Sequence, residues 1–159
     1  MVASCLVVLA AACGSGGRPT AADVHWASMM AQHHTAGIAL DDMALARTDD
    51  VRVRHLAFEM NGYQGRELDE LRSLAGGADA SDMALGMPTE DEMADLAARR
   101  GADFDRQFLT LMIRHHEGAL AMAGAPGTSA KVRRVADTLV AVQTEQLARM
   151  RALLAELGG

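Results

Sequence analysis

Cysteine is nearly missing from this chain: only Cys5 and Cys13 occur among 159 residues. Beyond them nothing is available for a disulfide framework, a zinc–thiolate site or a cysteine nucleophile. Aromatic residues are equally scarce at 3%, and there are only 3 prolines, so a sheet would lack the residues that usually fill it. There is no basic surplus either. Lys and Arg total 15 against 21 Asp and Glu, for a formal net charge of -6 and a pI near 5.4, which opposes the phosphate neutralisation that drives nucleic-acid binding. What is abundant is Ala, Leu, Met and Arg, all strong helix formers. With 50% hydrophobic and 23% charged residues, the chain is of a size and mixture for one compact, all-α domain.

The longest apolar run, Val2 to Ala12, falls far short of the roughly 20 residues of a membrane-spanning helix. It ends at Cys13 and is followed by Gly14-Ser15-Gly16-Gly17, the pattern of an export signal and a breaker-rich link. Ala10-Ala11-Ala12 before Cys13 resembles a bacterial lipobox, although Ala10 stands where Leu is usual and no Lys or Arg precedes the apolar run. The expected organisation is a signal over 1–13 with lipidation at Cys13, a flexible tether over 14–19, and a domain over 20–159. Such a protein is exported and held by its lipid at the outer face of a bacterial cytoplasmic membrane, while the domain itself need not touch lipid.

Breakers divide the remainder into amphipathic stretches at Thr20 to Ala46, Asp49 to Ala75, Glu90 to Ala125 and Ser129 to Leu157, each with helical periodicity. Thr20 with Asp23, and Thr89 with Glu92, have the spacing of capping boxes, and Thr48 or Asp49 is placed to cap the second helix. Gly101 divides the third stretch into a short helix and a long one. Two hairpins with short links, joined by a longer crossover near Gly76-Gly77, give a four-helix bundle.

An internal repeat lies inside this frame. Asp23, Trp26, Met30, His33 and His34 recur as Asp105, Phe108, Met112, His115 and His116, at a constant offset of 82 (105 minus 23). Gln64, Glu67 and Leu68 recur more weakly as Gln143, Gln146 and Leu147, at an offset of 79 (143 minus 64). The bundle is thus expected to be two copies of one hairpin. At about 100° per residue, Trp26, His33, His34 and Gly37 all fall within about 60° of Met30, and their counterparts fall likewise around Met112. Gln64 and Gln143 lie on the apolar faces of their own helices, so polar groups from four helices converge in the interior.

One thioether and two imidazoles within a helical turn, repeated once, suit copper better than the oxygen-seeking ions. The candidate ligands are Met30, His33, His34, Met112, His115 and His116, with iron and zinc left open. The bland alternative is a set of hydrogen-bonded core histidines among methionine fillers. Glu117 faces away from the inner stripe, and Asp23 and Asp105 suit either a histidine N–H or the first turn of a helix. His25 and His55 are expected at the surface. Met83, Met87 and Met93 stand among acids and could capture Cu(I), but a crossover tucking its methionines onto the bundle accounts for them more simply. The Glu-x-x-His signature of di-iron bundles is absent.

The stretch Met30-Ala31-Gln32-His33-His34 with Gly37, and the stretch from Phe104-Asp105 through Phe108-Leu109, Met112-Ile113 and His115-His116-Glu117-Gly118-Ala119, resembles the domain of unknown function 305 family. The likeness runs over nearly all of residues 20–157. It implies a ferritin-like four-helix bundle, exported, with some relatives tied to copper through Met and His. The expectation is therefore a copper-binding protein that buffers the ion or delivers it to a transfer partner. The competing expectations are a ferritin-like metal-dependent oxidoreductase and a metal-free helical interaction module.

Overall fold

A computed structural model describes residues 18–80, 84–124 and 129–158. The signal, Cys13 and Met83 lie outside the described residues. Helix α1 runs Ala21–Arg47, α2 Val51–Ala75, α3 Glu90–Ala98, α4 Gly101–Ala123 and α5 Ala130–Leu157. Among the described residues no helix is long and apolar enough to cross a membrane.

Each helix start has a local cause. Thr20 and Thr89 close full capping boxes with Asp23 and Glu92, satisfying backbone N–H groups that the helix cannot. Ser129 caps α5 by accepting from Val132 N–H. The cap of α2 is Asp50, not Thr48 or Asp49. Its carboxylate accepts from Arg52 and Val53 N–H, while the Thr48 hydroxyl accepts from Asp50 N–H one step upstream. Two adjacent polar turns thus shift the start of the helix. Gly76 ends α2 in the left-handed conformation, and Gly101 adopts φ +55 where α3 gives way to α4.

The four long helices form a ring in which α1 packs on α2 and α4, and α5 packs on α4 and α2. α1 and α4 are antiparallel. Trp26, near the start of α1, donates its indole N–H to the Met122 carbonyl near the end of α4 at 3.2 Å. At the other end, Arg47 donates to the Ala97 carbonyl just before α4 begins. The link from α2 to α4 therefore travels the length of the bundle, carrying α3 along α4. This is a ferritin-like four-helix bundle built from two hairpins, with a short extra helix in the crossover.

Two related contacts clasp the hairpins together. Asp23 of α1 accepts from Ser129 N–H at 3.0 Å, at the link between α4 and α5. Its counterpart Asp105 of α4 meets the Thr48 side chain, at the link between α1 and α2. Both aspartates therefore serve helix ends rather than histidines.

The apolar interior is split. One cluster gathers Trp26, Met30, Leu71, Leu74, Val132 and Leu139, and the other gathers Leu40, Met60, Phe104, Phe108, Met112 and Met150. Between them lies a polar layer.

Candidate metal centre

The layer consists of His33, His34, His115, His116, Gln64, Gln143, Gln146 and Asp41, all buried. Helical periodicity alone puts the two His pairs there, because α1 and α4 face each other through the stripe that carries them. His33 and His115, equivalent in the repeat, stack face to face with ring centroids 3.6 Å apart and an interplanar angle of 16°. No nitrogen of either ring has a hydrogen-bond partner of good geometry, although the backbone at Leu85 lies near His33 and that at Gly86 near His115.

The outer histidines are held differently, and symmetrically. His34 Nδ1 lies 3.0 Å from the Met30 carbonyl and its Nε2 lies 2.8 Å from Glu67 Oε2. His116 Nδ1 lies 3.1 Å from the Met112 carbonyl and its Nε2 lies 2.9 Å from the Gln146 side-chain oxygen. In each case a main-chain carbonyl one turn back takes the Nδ1–H, leaving Nε2 as the outward-facing atom, an orientation found in many metal-ligating histidines.

Burial sets the charge of the layer. Desolvation, aided by neighbouring His34 and His116, holds His33 down to about 3 from its ordinary 6.5, with the Leu85 backbone opposing weakly. Burial and the adjacent histidines hold His115 well below the usual range. His116 is lowered by burial, against the pull of Gln146. Asp41 shifts the other way, well above its ordinary range, because it too is buried and Asp42 is near. A low-dielectric layer thus favours the neutral forms of His33, His115, His116 and Asp41 alike.

Glycines let the layer close. A Cβ on Gly37 would stand 2.0 Å from Gln64 Oε1 and 2.6 Å from His115 Nε2, so these two unpartnered atoms converge over bare backbone. Behind them Gln64 donates to Asp41 Oδ2 at 3.1 Å. The crossover passes alongside at Leu85-Gly86. A Cβ on Gly118 would meet the Leu85 carbonyl oxygen at 2.2 Å, and one on Gly86 the Arg114 carbonyl at 2.5 Å.

The six sequence candidates therefore do not share one surrounding. The four imidazoles occupy the polar layer, while Met30 packs in one apolar cluster and Met112 in the other. Among the described residues no three His, Cys, Asp or Glu side chains are set around one point as ligands of a single ion. The donor types still fit copper: four buried imidazoles, two of them with both nitrogens unpartnered. Stacked rings direct their lone pairs side by side, so a shared ion needs one ring to turn. Glu117 is exposed and paired with Arg151, His25 and His55 are exposed, and Met87 and Met93 pack against the two apolar clusters. Asp41 and the outward partner role of Glu67 escaped sequence reasoning. Asp41 has no counterpart in the second hairpin, so the repeat gave no signal for it.

Fold and layer together define a class: a duplicated helical-hairpin bundle with a buried histidine layer on its pseudo-twofold axis. The domain of unknown function (DUF305) model matches residues 23–154, and the chain belongs to that family. A DUF305 protein of Streptomyces coelicolor, described as secreted, superposes with a TM-score of 0.80 at 29% identity, covering 87% of this chain and 93% of that one. A DUF305 fragment from Deinococcus radiodurans gives 0.80 at 28% identity, covering 88% and 99%. CopM in its Cu(II)-bound form shares the fold, with a TM-score of 0.71 at 22% identity, covering 84% and 96%. No functionally curated protein matches the sequence.

Proposed function

We propose that this is an exported, lipid-anchored protein that binds copper in its histidine layer and buffers it or passes it on outside the cytoplasm. The observation carrying this reading is the pair of buried, unpartnered imidazoles of His33 and His115, flanked by His34 and His116 with their Nδ1 atoms already tied back. Burying polar atoms without partners is costly, and a metal ion is one way to use them. The Cu(II)-bound relative and the relative described as secreted support the metal and the location. His33, His34, His115 and His116 would hold the ion, with Met30 and Met112 as soft ligands for Cu(I) if the layer rearranges. Cys13 would carry the lipid. The ion is cargo here, and no turnover is assigned.

The test is competitive Cu(I) and Cu(II) titration of metal-stripped residues 18–159, which contain all five helices, beside a variant with all four layer histidines changed to Ala. Helicity by circular dichroism checks that the variant folds. The expected result is tight binding by the parent that is lost in the folded variant. The closed stack of His33 on His115 favours a second reading, in which the layer only sets helix register. Absence of copper binding by the parent would leave that reading in place.

A further inference from the structure

Three repeat-related positions around the layer have diverged in one direction. Gly37 corresponds to Ala119 and Asp41 to Ala123 at the offset of 82, and Glu67 corresponds to Gln146 at the offset of 79. Every acidic or space-making member belongs to the first hairpin. The hydrogen bonding makes the difference chemical. His116 can give Nδ1–H to the Met112 carbonyl and accept at Nε2, because the Gln146 amide can turn its NH2 toward the ring. His34 has no such option. Its Nδ1 faces the Met30 carbonyl and its Nε2 faces a carboxylate oxygen at 2.8 Å, so both ring nitrogens face acceptors, and a cation held at Nε2 would meet an anionic oxygen as well as the ring.

Glu67 also joins the layer to the surface. Its side chain is 15% exposed where His34 is wholly buried, and it lines a cleft of about 190 Å³ between α2 and α5 with Glu70, Lys131, Arg134 and Thr138. Two carboxylates and two cations share that rim, so it imposes no net barrier of charge. Gln146, in contrast, is buried.

Resting on the copper reading above, we infer that Glu67 is a further ligand. It makes the His34 half the one that receives Cu(II), and it confers preference for Cu(II) over Cu(I). A carboxylate joined to an imidazole is a hard, anionic donor pair that suits Cu(II), while Cu(I) gains little from the oxygen. The second half, with Gln146, is a neutral imidazole site that does not discriminate in this way.

The experiment compares the parent 18–159 protein with E67Q, which keeps side-chain length, and with Q146E, which gives the second half the same carboxylate. Cu(II) and Cu(I) affinities are measured by competition, Cu(II) coordination by electron paramagnetic resonance, and metal-free thermal stability alongside. E67Q is expected to lose on the order of 10–100-fold in Cu(II) affinity, to keep its Cu(I) affinity, and to change the Cu(II) spectrum. Q146E is expected to add a second Cu(II) site with the spectrum of the first. Equal loss for both oxidation states in E67Q would mean that Glu67 only supports His34, and would overturn the inference, as would unchanged Cu(II) binding. A parent that binds no copper overturns the copper reading and this one with it, whereas a parent that binds while E67Q matches it overturns this one alone.

Discussion

Asp41 and His33 sit in the same layer and pull stability in opposite directions with pH. In the metal-free protein His33 titrates at about 3 instead of 6.5. The unfolded chain therefore binds more protons between those values, and stability falls as pH drops through that window. The proton affinity of Asp41 is raised by folding from an ordinary 3.8. There the folded state binds more protons, and stability falls as pH climbs from about that value until the buried acid ionises. Asp41→Asn preserves the shape and an acceptor for Gln64 while removing only the second effect. The variant is expected to be more stable than its parent at pH 7, with the advantage vanishing near pH 3, as urea unfolding across that range would check. An Asn that gave the same advantage at every pH would mean that Asp41 is not held neutral by the fold.

At the level of elements, the crossover is fastened to α4 by a backbone contact that no side chain can relax. Gly118→Ala would place its Cβ 2.2 Å from the Leu85 carbonyl oxygen, so the crossover must back away, at a cost of about 1–3 kcal/mol. Gly65→Ala on α2 meets nothing within 4 Å and is expected to gain about 0.5–1 kcal/mol from helix preference alone. Denaturant unfolding of the two variants, with hydrogen exchange over 84–88 for the first, separates the cases. Helix positions and faces were legible because they are local: Thr20, Thr89 and Gly101 act on their own neighbours, and a 3.6-residue period puts both His pairs inward. The contact of Gly86 with Gly118 and the clasps of Asp23 and Asp105 join segments far apart in sequence, and no period encodes them. The cap of α2 falls at Asp50, beyond what local pattern decides, because three consecutive polar residues, Thr48-Asp49-Asp50, compete for one role. Periodicity also fixes the direction in which a residue faces but not its neighbour across the helix pair. Convergence of the histidines was therefore readable, and the stack of His33 on His115, with each methionine sent to a separate apolar cluster, was not.

Taken as a whole, the molecule interrupts its own core. Apolar packing at both ends stops at a layer whose central imidazoles have no partners, so the layer withholds stability that a continuous core would supply. Replacing both His33 and His115 with Leu is expected to stabilise the metal-free protein by on the order of 1–3 kcal/mol and to remove copper binding. Thermal unfolding with and without added copper would read both effects. A less stable double variant would show that the stacked rings are net contributors to the fold.

The crossover from Gly76 to Arg100 has a consequence of another kind. It makes the second hairpin a permanent neighbour of the first, so the meeting of His33 with His115 is an intramolecular event at an effective concentration set by the strap. Two separate hairpin chains forming the same layer across a true twofold axis would come apart on dilution. Joined in one polypeptide, the layer persists at any protein concentration, however thinly the molecule is spread.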